Sequence, residues 1–172
     1  MAASTQKIGK ASGFVFLAAR TMVYAAFFIG FLLIYLPARV LTRSGIVSPA
    51  VIGVPQIAGI IVSTAGAVLA LWCIATFVAV GRGTPAPFDA PRRLVIRGPY
   101  RYVRNPMYIG AGFALGGAAL FYRSLALLSY AVLFLVAAHL FVVLYEERVL
   151  ARTFGEAYQA YRGSVARWWP KV

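Results

Sequence analysis

Arg104-Asn105-Pro106, Tyr108, Gly110-Ala111-Gly112 and Glu146-Glu147 are the residues of this chain whose types can do chemistry together. An arginine holds a carboxylate, bidentately where geometry allows. A glutamate accepts hydrogen bonds from an amine or a ribose. Two glycines remove side chains and let a flat ring approach the backbone, and the backbone of a proline-bounded loop can meet an adenine edge. A zwitterionic amino acid joined to a nucleoside asks for that combination. The loop is dense in charge: residues 97–112 hold Arg97, Arg101 and Arg104 with Tyr100, Tyr102 and Tyr108. Charge of that density beside lipid is costly unless it binds something. His139, the single histidine, lies in an apolar run seven residues before Glu146. A regular helix puts the two on nearly one face, so His139 is the candidate catalytic group.

The elements that must position these residues are membrane helices. The chain has 172 residues, 62% of them hydrophobic and only 12% charged, with a mean hydropathy of +0.80. A soluble domain is nearer half apolar and a quarter charged. The apolar residues gather into runs over residues 13–36, 54–80, 106–122 and 125–145, against the roughly 20 residues a bilayer crossing needs. Pro37 and Arg39 end the first run, and Arg20 within it snorkels to the interface. Lys7 and Lys10 precede this run as in a signal peptide, but it is too long for one and no small-residue cleavage site follows. The turn Tyr122-Arg123-Ser124 is so tight that the last two spans form an antiparallel hairpin. The expectation is an all-α integral membrane protein, one domain with about four transmembrane helices, a loop over residues 81–105 and a tail over residues 146–172.

The net charge of +13 follows the membrane rather than nucleic acid. Four crossings put Lys7, Lys10, Arg82, Arg92, Arg93, Arg97, Arg101, Arg104 and the tail cations on one side. Arg39, Arg43 and Arg123 fall on the other. The positive-inside rule then makes both termini, the loop and the tail cytoplasmic. Cys73, alone, excludes an intrachain disulfide and offers no metal cluster. Gly59, Ser63, Gly66 and Ala70 give the second span a small-residue face for close helix packing, and a homodimer is one use of it. Arginine outnumbers lysine and alanine is abundant, as in a GC-rich bacterial genome, hence an inner (plasma) membrane.

Each chemical piece has a plainer alternative. Gly-x-Gly in a membrane helix is also a packing pair, Glu146-Glu147 beside Arg148 an interfacial charge cluster, and a loop arginine a topology signal. Tyrosines at an interface are also belt residues, and a histidine at membrane depth also makes interhelical hydrogen bonds. The joint placement tells in favour of a site. In a hairpin, the start of the third span lies beside the end of the fourth, so Gly110 and Gly112 come next to the two glutamates.

The pattern Gly98-Pro-Tyr-Arg-Tyr-Val-Arg-Asn-Pro-Met-Tyr-x-Gly110, then Glu146-Glu147 with Leu150, then Phe154-Gly155 with Tyr158 and Tyr161, resembles the isoprenylcysteine carboxyl methyltransferase-like group. Phospholipid methyltransferases are more distant relatives. The resemblance covers about residues 85–161. It implies S-adenosyl-L-methionine bound under the loop and the tail. Tyr100, Arg104, Asn105, Pro106 and Tyr108 would form the cofactor loop, and Gly110, Gly112, Glu146 and Glu147 would complete the set. Many prenylcysteine enzymes have histidine where this chain has Asn105, which can hydrogen-bond but not titrate.

Methyl transfer to a carboxylate needs mainly positioning, whereas a phenol or amine needs proton removal, with His139 available for it. The reading is S-adenosylmethionine-dependent methylation of a lipophilic or lipid acceptor, carboxylate O-methylation before N-methylation. Partners are that acceptor and the membrane lipids, with no nucleic acid. The alternatives are an NADPH-dependent sterol-reductase-like enzyme and a non-enzymatic lipid-binding protein.

Overall fold

The computed structural model describes residue 23 and residues 26–46, 49, 51–81 and 93–171. The start of the expected first span with Arg20, the lysines Lys7 and Lys10, and the loop residues 82–92 lie outside them. Helix α1 runs over Ala26–Arg43 and α2 over Val54–Val80. Helices α3 (Pro106–Tyr122), α4 (Leu125–Phe141) and α5 (Glu147–Ser164) come next in the chain. Among the described residues three helices are long and apolar enough to cross a membrane: α1, α2 and the continuous Leu125–Ser164. Apolar α3 has 17 residues, about 25 Å at 1.5 Å per residue, short of a hydrocarbon core of about 30 Å.

Pro37 does not end α1, contrary to the sequence expectation. The turn before it, Ile29–Tyr35, is a π-helix in which the Leu36 N–H donates to the Phe31 carbonyl. Continued by one residue, that pattern would use an N–H on Pro37, which proline lacks. The orphaned Leu32 carbonyl instead accepts the Tyr130 hydroxyl of α4 at 2.7 Å. An unmet backbone group in lipid is costly, so this one bond lets the helix pass through its proline and ties α1 to α4.

The small-residue face of α2 packs against α3 within the chain. A Cβ on Gly59 would lie 2.6 Å from the Gly117 carbonyl oxygen, and one on Gly110 would lie 2.7 Å from that of Gly66. Between them the Ser63 hydroxyl donates to the Ala114 carbonyl at 3.0 Å. That corrects the use of this face for a homodimer: α3 already covers it. At the far end Gln56 accepts from the Gly53 N–H at 3.0 Å. Its amide donates to the Phe121 carbonyl at 3.2 Å, meeting a terminal carbonyl that α3 itself cannot. Gln56 is a cap for two helices.

The hairpin has the expected turn. Arg123 caps α3 in the left-handed region at φ 48°, and the Ser124 hydroxyl accepts from the Leu127 N–H to start α4. Beyond Phe141 a π turn, Val142–Glu146, leads into α5. Gly155 then bends α5 at φ 51°, ψ −125°, a backbone region essentially closed to other residues. The bend turns Tyr158 and Tyr161 back onto the loop, where the Tyr161 hydroxyl donates to the Tyr100 carbonyl at 2.6 Å. The Phe-Gly-x-x-Tyr-x-x-Tyr spacing is thus a hinge followed by two anchors. A Cβ at Gly155 would meet nothing within 4 Å, so Gly155→Ala would act through backbone strain alone, about 1–3 kcal/mol. The expected result is a lower Tm in detergent and faster proteolysis of the tail; an unchanged Tm with an unchanged cleavage rate would refute the hinge.

Candidate active site at the hairpin mouth

The loop, the start of α3, the end of α4 and the tail meet at one end of the bundle. The tail returns to the loop as a strap: the Arg104 N–H donates to the Ala166 carbonyl at 2.9 Å, and the Asn105 side-chain amide donates to the Arg167 carbonyl at 3.2 Å. A single parallel bridge, Val103 to Ala166, marks the join.

Arg104 lies at the centre. Its Nη1 is 3.0 Å from Glu147 Oε1, and the two side chains are only 9% and 11% exposed. The same Nη1 donates to the Tyr158 hydroxyl at 3.2 Å. Glu147 is gripped from its other side by Arg167, which donates from Nε to Oε1 at 2.7 Å and from Nη2 to Oε2 at 3.0 Å. Among the described residues, Arg104 Nε is a buried donor without a partner. A buried charged donor left unmet costs more than an ordinary hydrogen bond gains, so this nitrogen fits an anionic ligand.

The neighbouring carboxylate is held differently. Glu146 Oε2 accepts from the Tyr108 hydroxyl at 3.2 Å, which closes the hairpin mouth as the topology required. The two glutamates also differ electrostatically. Burial raises the Glu146 carboxyl, the Tyr108 hydrogen bond lowers it and the charge of Glu147 raises it, with a net rise from 4.5 to about 7. For Glu147, burial also raises, but the Arg167 hydrogen bond and the charges of Arg104, Arg167 and Arg162 outweigh it and hold the carboxyl below its ordinary value.

The two shifts have opposite signs in stability. Folded Glu146 holds its proton more tightly than the unfolded chain, so stability falls as pH rises from 4.5 to about 7, by on the order of 3 kcal/mol. Folded Glu147 holds its proton less tightly. Its contribution is full above the unfolded glutamate value of about 4.3 and is lost as pH falls through the lowered one. Glu146→Gln is therefore expected to flatten the decline of Tm between about pH 4.5 and 7 and to be more stable than wild type above it. Parallel pH slopes for the two proteins would count against a buried acid at Glu146.

The other expected site residues fall into four groups. Asn105 and Pro106 are buried at the start of α3 and fix the loop. Tyr100 lies in a buried cluster with Cys73 and Val95, edge-on to Phe77 at 5.1 Å, and acts on the site through its carbonyl.

Gly110 and Gly112 do not open space for a ring. Positions two apart on a helix face nearly opposite ways. Gly110 accordingly meets the backbone of Gly66, and Gly112 meets the Leu135 side chain, 2.8 Å from where its Cβ would be.

His139 is likewise not beside Glu146. The π turn between them, in which the Glu147 N–H donates to the Val142 carbonyl, holds one residue more than an α turn and rotates the next helix by about 100°. His139 is exposed, and its Nδ1 accepts from the Trp168 indole at 3.1 Å. Arg167, which the sequence reading counted only among the tail cations of the cytoplasmic side, belongs to the candidate site. Its spacing of 20 residues from Glu147 gave no helical signal, because the bend at Gly155 intervenes.

The phospholipid methyltransferase family profile matches residues 54–157, from the start of α2 into α5 and so across both halves of the mouth. The chain belongs to this family, an integral membrane protein of the methyltransferase class. A comparison with curated proteins returned no match.

Proposed function

We propose that the hairpin mouth binds S-adenosylmethionine and that the protein methylates a lipophilic acceptor, with a carboxylate as the leading acceptor class. The observation that carries this reading is the buried Arg104 guanidinium, one nitrogen of which lacks a partner, beside two carboxylates held in different ways. When bound, S-adenosylmethionine supplies a methyl group on a positively charged sulfur. Arg104 would hold its carboxylate, and Glu146 would accept from its amine or a ribose hydroxyl. Tyr108 orients Glu146, Glu147 orients Arg104, and Asn105 and Pro106 keep the loop in register. Tyr100 supports the tail, and Gly110 and Gly112 let the helices that carry the site approach.

A carboxylate acceptor bears the charge opposite to a sulfonium. The two charges cancel on the way to the transition state, so a dry apolar enclosure favours transfer and no base is needed. The outward position of His139 agrees with that choice. A lipid amine is the second acceptor class: the family's description names phospholipids, and Glu146, with its raised carboxyl, could take up an amine proton. The family match favours methyl transfer over NADPH-dependent reduction or lipid binding alone. In this arrangement α3 is a short fourth crossing, both termini are cytoplasmic in a bacterial inner membrane, and the acceptor arrives laterally through lipid.

The test is titration of the purified protein in nanodiscs with S-adenosylhomocysteine and with NADPH, followed by lipid profiling with a labelled methyl donor. Saturable binding of S-adenosylhomocysteine with label in one lipid class supports the reading. Binding of NADPH alone, or of neither, ends it.

A further inference from the structure

His139 and the end of the strap form a second polar feature, outside the mouth. The Trp168 indole N–H donates to His139 Nδ1 at 3.1 Å, and the two ring centroids lie 5.9 Å apart. An indole nitrogen is a donor only, so Nδ1 carries no proton and the hydrogen of the neutral ring is on Nε2. With Nδ1 occupied and Nε2 protonated, the imidazole is no base while this clasp holds. It is a donor, and among the described residues its Nε2–H has no partner.

That donor faces lipid. His139 is exposed on a helix that crosses the membrane, about 10 Å short of Glu146 along the axis at 1.5 Å per residue. It stands nine residues after Tyr130, about two and a half turns, and Tyr130 takes α1 on the opposite face. A donor left unmet in hydrocarbon is costly, so an oxygen of a lipid-borne group fits here.

The face below His139 suits the rest of such a molecule. Leu128, Val132 and Leu135 are exposed and lie within about 40° of His139 at 100° per residue. They give an apolar track about 16 Å long beside α3, where Leu135 meets Gly112. Above it the strap brings cations, with Arg167 before Trp168 and Lys171 after it, so an anionic end is favoured over a cationic one.

We propose that His139 Nε2–H holds the carboxylate of a long-chain acceptor at the lipid side of the strap, with its acyl chain along Leu128, Val132 and Leu135. The inference rests on the reading of a lipophilic carboxylate acceptor above and specifies where that acceptor enters. His139 is then a substrate-binding residue and not a proton acceptor, and Trp168 fixes its tautomer.

The experiment places nitrogen-15 histidine in the full-length protein in phosphatidylcholine nanodiscs. His139 is the single histidine, so one imidazole is seen. The probes are palmitate, hexadecyl phosphate and hexadecyltrimethylammonium, which share a straight chain and differ in the head. Palmitate is expected to shift the Nε2 resonance saturably, with Nδ1 unprotonated throughout, and the ammonium to leave it in place. In His139→Leu, palmitate affinity falls about tenfold, the scale of one hydrogen bond to a charged group. It is retained in His139→Gln, whose amide N–H stands in for Nε2–H, and in Trp168→Phe, which breaks the same clasp but keeps the ring's donor.

An Nε2 resonance that palmitate does not move overturns the inference. So does hexadecyl phosphate binding as tightly as palmitate, which would mark a phospholipid headgroup site. An equal loss in His139→Leu and Trp168→Phe also overturns it, because the effect would then come from the strap alone. S-adenosylhomocysteine titrated into the same samples tests the donor reading separately. A wild type that takes palmitate on His139 and no S-adenosylhomocysteine overturns that reading, and with it the role of the bound carboxylate as methyl acceptor.

Discussion

Arg104→Ala is expected to weaken S-adenosylhomocysteine binding by at least about a hundredfold, the scale of truncating one partner of a buried hydrogen-bonded charge pair, and to remove methyl transfer with it. Three interactions depend on this side chain. It pairs with Glu147, bonds the Tyr158 hydroxyl, and presents the free Nε on which the donor reading rests. Glu147 keeps its Arg167 fork in the variant, so the mouth does not gain an uncompensated buried charge, and the fold is expected to survive. Arg104→Lys sharpens the result. Lysine keeps the charge and can keep the Glu147 pair, but it has no second nitrogen in a fixed plane. Its affinity is expected to fall about tenfold, with Tm near that of wild type. A basic loop that only met anionic headgroups would tolerate lysine fully, so an Arg104→Lys protein with wild-type donor affinity would remove the cofactor site from this end of the bundle.

What was legible in the sequence was what local chemistry determines. The Tyr122-Arg123-Ser124 turn fixed an antiparallel hairpin, and the hairpin brought Tyr108 of α3 to Glu146 beyond α4 with no further assumption. Two kinds of feature were hidden. The first is the π turn, which has no strong residue signature. It let α1 run through Pro37, and it rotated Glu146 away from the face of His139. The second is the return of the tail. The Phe-Gly-x-x-Tyr-x-x-Tyr spacing was visible as a pattern, but its physical content is a glycine at positive φ that sends the chain back by 20 residues to set Arg167 on Glu147. The Gly-x-Gly reading failed for a reason that was available: residues two apart on a helix cannot open one face.

The glycine contacts between α2 and α3 carry the second large effect. Gly66→Ala is expected to destabilise the protein by about 3 kcal/mol or more, at or above the upper end for overpacking. The added Cβ would press on the Gly110 carbonyl oxygen and lie 2.5 Å from the Ala114 nitrogen. Both are backbone atoms, which cannot rotate aside as a side chain can. Relief requires α2 and α3 to separate along a face where Gly59 and Gly117 are equally close, 2.6 Å from Cβ to carbonyl oxygen. The start of α3 carries Asn105, Pro106 and Tyr108, so the separation reaches the mouth and donor binding is expected to fall with Tm. Gly116→Ala on the same helix is the control. A Cβ there meets nothing within 4 Å, and alanine is the better helix former by about 1 kcal/mol, so its Tm is expected to hold or rise. Thermal unfolding of both variants in one detergent separates the outcomes. If Gly66→Ala were as stable as Gly116→Ala, the two helices would not touch backbone to backbone, and the mouth they support would need a different frame.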